Sequence, residues 1–555
     1  MAHARSSSVR SALVWLVTIV PALLGCHDRY PPPVATVGPA PVATAPVRRL
    51  RRLSSREYDN VVRDLLGDAS RPAARFLADT YPNGYDNGSA ALAVQSDQVA
   101  AYQAAAESLA EGVLARDRAL VLGACSPTTD GEAMCLDTAL SSFAARAYRR
   151  PLSATEAQRL REVFQAERAQ SGFDRALQTV LEVILQSPQF LYREELGPAT
   201  LAAEPGARLD LTNHEIASEL SFLITGSIPD AELWAAVEQG RFATPPERRA
   251  QALRLLASPG ARESMRAFLH QWLATRRLAT LSKSAEVYPT FTPALASSMS
   301  GELDAFFDDV MWNRSGSLRE LFTSPHSFVD AALGQLYGIE VPGPGWQAVT
   351  LDHELRPGVL TRAGFLAVHA DSDSSGPIPR GVFILSAIVC QAPSPPPPNI
   401  PPPPPPTDSS GARTTRQRFA QHVSNGSCAA CHNQIDGIGF GFEAYDGIGA
   451  YRQLDDGLPV DSRGTVIGLG ALDGDFSSAG QLATRLAGSR ALSDCLARQI
   501  YRYALGQVEA ANEDLRWLTA ASSPDTRMTD LLLAIVDNPA FTQRTFEGPS
   551  GGLSP

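Results

Sequence analysis

Between residues 47 and 340, apolar residues recur at intervals of three and four, the period of helices that bury one face. The first run, VRRLRRLSSREYDNVVRDLLGD at 47–68, places Tyr58, Val61, Val62, Leu65 and Leu66 on one face. Ser54 or Ser55 caps that helix and Gly67 ends it. An alanine-rich helical pattern follows from Ala90 to Leu120. Pro151 then breaks a helix, Ser153 caps the next, and Glu156 stands at the capping-box position. FDRALQTVLEVILQ forms another amphipathic helix, stopped near Pro188. Thr212, with Glu215 three residues on, opens a third helical block that continues to Glu340. At Val341 the pattern changes to short strand-like runs, turns and one helix. PSPPPPNIPPPPPP, residues 393–406, predicts polyproline II, as a rigid spacer or a strap across the next domain. Helical periodicity returns in LATRLAGSRALSDCLARQIYRYALGQ and MTDLLLAIVDNPAF. The pattern predicts a mainly α, multi-domain chain: a helical platform, a Gly- and Pro-rich module, and a C-terminal helical domain.

The first 46 residues lie outside this pattern. Arg5 and Arg10 precede the apolar stretch 11–24, which is too short for a comfortable membrane span and reads as a signal peptide. It ends in LLGC, resembling the lipoprotein cleavage box in which the cysteine, here Cys26, becomes lipidated. Residues 27–46, rich in Pro, Ala and Val, read as an extended tether. The expectation is an exported protein, periplasmic or anchored to the outer membrane through lipid, with residues 1–26 removed or modified. His27 in place of an aspartate favours the outer membrane. No later stretch reaches the roughly 20 apolar residues of a membrane span.

Composition narrows the field further. The 555 residues suffice for about three to five domains. Hydrophobic residues make up 44 %, enough for sizeable cores, and the net charge is −11. The single compact basic run, 48–53, is short, so nucleic acid is excluded as an expected partner.

Seven cysteines remain to be placed, in a compartment where disulfides persist. With Cys26 assigned to lipid and Cys428 and Cys431 to a cofactor, four are left. Cys125 and Cys135 flank the turn-rich SPTTDGEAM, which favours a local bridge; Cys390 and Cys495 pair by default. Each bridge is worth roughly 3–5 kcal/mol, the longer loop more. Connectivity does not follow from sequence alone, and free buried thiols are the alternative.

The chemistry concentrates in SNGSCAACHNQIDGIGFGFEAYDGIGAYR, residues 424–452. Cys428-x-x-Cys431-His432 has the spacing of covalent haem c attachment: two thiols for two vinyl groups, and an adjacent imidazole, His432, for the iron. Two other readings stay open. Zinc could take Cys428, Cys431, His432 and His422. A redox dithiol would lack the thioredoxin-like strand–turn–helix around it. For a second iron ligand, His422 lies six residues before Cys428. Met528 is the only methionine after His432, though core packing suits it better, and His369 is a loop candidate at a position more often plain surface. Two protein ligands would favour electron transfer; an open position would favour peroxide or small-molecule chemistry. The glycines of the motif suit close approach of backbone to a flat macrocycle, with Phe440, Phe442 and Tyr445 as its apolar wall; a neighbouring protein core is the alternative. Asp436, Asp446 and Arg452 are read as shaping this loop. Arg146, Arg149 and Arg150 could meet haem propionates, but suit a solvated helix face better. His270 reads as core. No nucleophile elbow, phosphate-cradling loop or dinucleotide fingerprint is present.

Several stretches together resemble one family. RRLSSREYDNVVRDLLGD, AARAYRRPLSATEAQRL, LQSPQFLYREE, GPIPRGVFILSAIVCQAPSPPPP, CAACHNQIDGIGFGFEAYDGIGAYR and CLARQIYRYALGQ look like the planctomycete cytochrome c-type proteins, large exported proteins also common in myxobacteria. The resemblance implies five modules: domain three-like over 47–122, five-like over 123–200, four-like over 205–340, a cytochrome c-like module with the proline strap over 341–460, and domain two-like over 461–545. It implies one covalent haem c on Cys428, Cys431 and His432, and raises the standing of a histidine near position 422. The expected function is electron transfer at the cell envelope with an unidentified redox partner protein. The alternatives are a haem enzyme, peroxidase-like or acting on a sugar-like substrate, and an envelope binding or scaffold protein. About 300 helical residues are more than an electron carrier needs.

Overall fold

The computed structural model describes residues 50–545 apart from 82, 90–93, 199–206, 395–412, 420–425 and 510–513. Cys26, the tether, His422 and most of the proline strap therefore lie outside the described residues, as does the side chain of Cys428.

Helices dominate, and their starts follow local chemistry. Ser54 and Glu57 close a capping box on Ser55–Leu66, Ser153 and Glu156 close one on Ala154–Ser171, and Thr212 and Glu215 close one on Asn213–Thr225. Each box satisfies orphan N–H groups at a helix start reciprocally. Gly67 ends the first helix in the left-handed conformation, φ 64°.

Among the described residues these helices build two cores within one compact unit. The smaller gathers apolar side chains from Leu53 to Leu191 with Phe222 and Ile228. There Phe76 meets Tyr58 and Tyr102 edge to face, both at 4.9 Å between centroids, and Phe190 meets Tyr58 in the same way. The larger core takes residues from Leu211 to Phe541 together with Tyr85.

The described strands form five two-stranded antiparallel ribbons, all too short to show alternation in sequence. Two of them close long loops. Arg51–Arg52 pairs with Tyr192–Arg193, and Arg208–Asp210 pairs with Gln543–Thr545, joining segments more than 300 residues apart in the second case. A third, His326–Val329 with Gln347–Thr350, lies partly inside the stretch read as continuously helical to Glu340. Here tertiary pairing overrode the local pattern.

The first ribbon also places two arginines of the basic run at 48–53 in the interior. Arg51 and Arg52 are buried. Arg51 bonds Glu195 at 3.0 Å and also Glu219, while Arg52 bonds Asp79 at 3.0 Å. Arg193 joins Glu219 at 2.8 Å and Glu57 at 3.3 Å, and Arg544, from the last ribbon, joins Glu195 at 2.6 Å. Arg51 and Arg52 are interior because carboxylates from other parts of the chain neutralise them. Arg149 is likewise no solvated residue. It is buried, and its guanidinium donates to the carbonyls of Ala147, Phe190, Gln189 and Tyr192. Arg150 bonds Glu156 and Glu194, both at 2.9 Å.

Disulfides join Cys125 to Cys135 and Cys390 to Cys495. Among the described residues no helix is long and apolar enough to cross a membrane.

Candidate functional site

Positions 428, 431 and 432 lie on one helix, Gly426–Gly439. Helical geometry puts positions three apart on the same face, one turn from each other. Cys431 is a free, half-buried thiol. The next residue, His432, is 21 % exposed, and its Nδ1 bonds Asp436 Oδ1 at 2.9 Å one turn further on. Burial raises the Asp436 carboxyl above its ordinary range, and the bond to His432 opposes that rise. With Nδ1 committed to a carboxylate, Nε2 is the nitrogen that would bind a metal.

The helix is held between two layers at separations only glycine allows. On one side, a Cβ on Gly381 of the helix Pro377–Phe383 would overlap the Ile435 carbonyl, and one on Gly439 would overlap the Pro377 carbonyl. On the other, a Cβ on Gly437 would overlap the carbonyl of Thr465, in the ribbon strand Gly464–Val466. Gly437 and Gly439 of the motif therefore admit protein backbone where contact with a macrocycle was expected, in line with the alternative of a neighbouring protein core.

The segment after the helix is shaped by two arginines. Arg380 is buried and donates to the carbonyls of Leu366, Phe442, Tyr445 and Asp446 at 2.8–3.2 Å. Burial pulls its pKa down to about 10, against Glu443 and Asp446. Arg452 spans Glu443 at 2.9 Å and Asp455 at 2.8 Å, and Ser375 donates to Glu443 at 2.8 Å. Asp446 accepts from the backbone N–H groups of Ile448 and Ala450. Asp446 and Arg452 thus shape this loop, whereas Asp436 bonds the histidine. Sequence alone did not separate these acids, although the i,i+4 spacing of His432 and Asp436 on a helix was the available signal.

The aromatic candidates sit inside protein. Phe442 is fully buried in the larger core, and Phe440 lies under the Arg416 guanidinium, 4.5 Å from its ring centroid. Tyr445 is buried and donates to Leu355 O. Beside Gly437 an open pocket of about 550 Å³ is lined by Arg416, Asp461, Thr465, Asp475, Phe476 and Gln481.

The candidates for a second ligand are placed as follows. Met528 is fully buried at the start of the helix Met528–Asp537. His369 is buried, bonds Leu273 O through Nε2 at 2.9 Å, and lies 3.9 Å from the Phe383 ring. Burial lowers its pKa to about 3, so it is neutral and Nε2 donates. His270 bonds Asp304 at 2.9 Å and Thr275 at 2.7 Å against Phe307, a partly buried structural position.

The donor set fits haem c: a thiol outside any disulfide, two cysteine positions a turn apart, and an imidazole whose outer nitrogen is already bonded.

Four family models match the chain. They are PSD3, Protein of unknown function (DUF1587), over residues 51–115; PSD5, Protein of unknown function (DUF1595), over 135–195; PSD4, Protein of unknown function (DUF1592), over 211–339; and PSCyt3, Protein of unknown function (DUF1588), over 356–455. The last encloses the whole helix that carries Cys431 and His432. No curated protein and no solved structure matches.

Proposed function

This chain belongs to the planctomycete cytochrome c-type family and is c-type cytochrome-like, and on that premise we propose that it is an exported haem c protein passing single electrons at the cell envelope. Haem c, when bound, supplies a one-electron iron couple. Cys428 and Cys431 would hold it by thioether links, and the His432 imidazole would bind its iron. His422 and Met528 are the candidate second ligands. Arg380 and Arg452 keep the following loop rigid, so the helix that presents the three attachment residues does not shift. Cys26 is the proposed lipid anchor, and a redox protein the proposed partner.

One observation carries this reading: the attachment positions share a helix whose histidine is bonded through Nδ1 to a buried carboxylate. The test is production in a host that matures c-type cytochromes, followed by intact mass, pyridine haemochrome and zinc analysis. One covalent haem per chain, low-spin and indifferent to cyanide and peroxide, is the expected result. A mass without haem, or stoichiometric zinc, refutes the cofactor. A high-spin haem that binds cyanide refutes simple electron transfer.

A further inference from the structure

The acidic residues around the attachment helix are not equivalent. Glu443 is engaged by Arg452 and Ser375, and Asp446 by backbone N–H groups of its own loop. Asp436 reaches the imidazole of His432 at 2.9 Å from a carboxyl that is 5 % exposed. Its turn of helix cannot readjust. Gly437 and Gly439, on either side of the next turn, lie against the carbonyls of Thr465 and Pro377 with no room for a Cβ. The imidazole's Nδ1 is therefore held by a buried carboxyl on a closely packed backbone.

A carboxylate is a stronger acceptor than a backbone carbonyl. It draws the Nδ1 proton, raises electron density at Nε2 and makes the imidazole a more basic ligand. A more basic ligand favours the higher oxidation state of the iron it binds. We propose that Asp436 is a positioning residue for His432, fixing the tautomer that presents Nε2 and setting the haem centre to a lower potential than an uncharged partner would. This inference rests on the haem reading above.

The experiment compares the wild-type holoprotein with Asp436→Asn, which keeps size and an acceptor oxygen but removes charge, and with Asp436→Leu, which removes both. Haem content, circular dichroism and midpoint potential are measured on each. Haem content is expected to stay near one per chain while the potential rises, by about 59 mV or more for Asn, a tenfold change in the ferrous to ferric ratio at fixed poise. Leu is expected to raise it at least as far. Full haem loading with an unmoved potential overturns the proposal and leaves the haem reading standing, whereas wild-type protein without haem removes both. Should the variants fail to fold, the His432 ring in reduced wild-type protein decides by NMR. A slowly exchanging, hydrogen-bonded Nδ1 proton supports the proposal; a bare or freely exchanging Nδ1 overturns it.

Discussion

Glu219 illustrates how a single side chain carries weight that its sequence context hides. Burial by itself would raise its carboxyl, but the guanidiniums of Arg193, Arg51 and Arg544 together hold it down to about 2, against an ordinary value of 4.5. The sign follows directly. The folded pKa lies below the unfolded one, so the stabilisation is fully present above about pH 4.5 and is lost as the pH falls toward 2. Glu219→Gln leaves the buried guanidiniums under-compensated and is expected to cost about 3–5 kcal/mol near neutral pH. Thermal melts of wild type and variant from pH 7 to 2.5 check both points. The difference should shrink on acidification; a constant gap would show that the charge is not what matters. The helix of residue 219 was legible in the LTNHEIASEL pattern, but its partners were not. Arg51 precedes it by 168 positions and Arg544 follows by 325.

At the scale of elements, glycine decides where the helix Gly426–Gly439 sits. Placing alanine in a helix ordinarily gains about 1 kcal/mol over glycine. At Gly381 the added Cβ would meet the backbone carbonyl of Ile435, which cannot rotate away as a side chain does. Overpacking of this kind costs about 1–3 kcal/mol, so the clash outweighs the propensity gain. Gly381→Ala is expected to lower the melting temperature. Gly112→Ala, in Ser96–Arg116, meets only the flexible end of Arg116 and is expected to be neutral or stabilising. Equal effects at the two sites would refute the packing argument. Capping boxes at Ser54, Ser153 and Thr212 were readable because cap and partner are three residues apart. The ribbons were not, because two to four residues carry no measurable alternation and their partners lie far along the chain.

Across the whole molecule, closure depends on links between distant segments. Cys390–Cys495 spans 105 positions and joins the end of the Pro377–Ile388 helical stretch to the helix Arg490–Leu505, whereas Cys125–Cys135 spans ten. In the chain-entropy picture the longer closure contributes about 4–5 kcal/mol and the shorter about 3 or less. Guanidinium unfolding of Cys390→Ser/Cys495→Ser and of Cys125→Ser/Cys135→Ser should show that order. A larger loss from the short loop would mean native-state contacts, not loop closure, set the effect. The larger core also gathers residues from 85 to 541, so apolar segments meet in an arrangement no local window contains.

The sequence by itself determined the helical character, the helix starts and the cofactor-type motif. Each rests on interactions among residues a few positions apart: the 3.6-residue period, the cap with its partner three residues on, and two thiols with an adjacent imidazole. Only the tertiary structure decided which arginines are interior, which glycines face protein and which acid bonds the histidine. Those outcomes depend on groups brought together from distant parts of the chain, and burial, which sets their charge and their packing, belongs to the folded molecule and not to any one stretch of it.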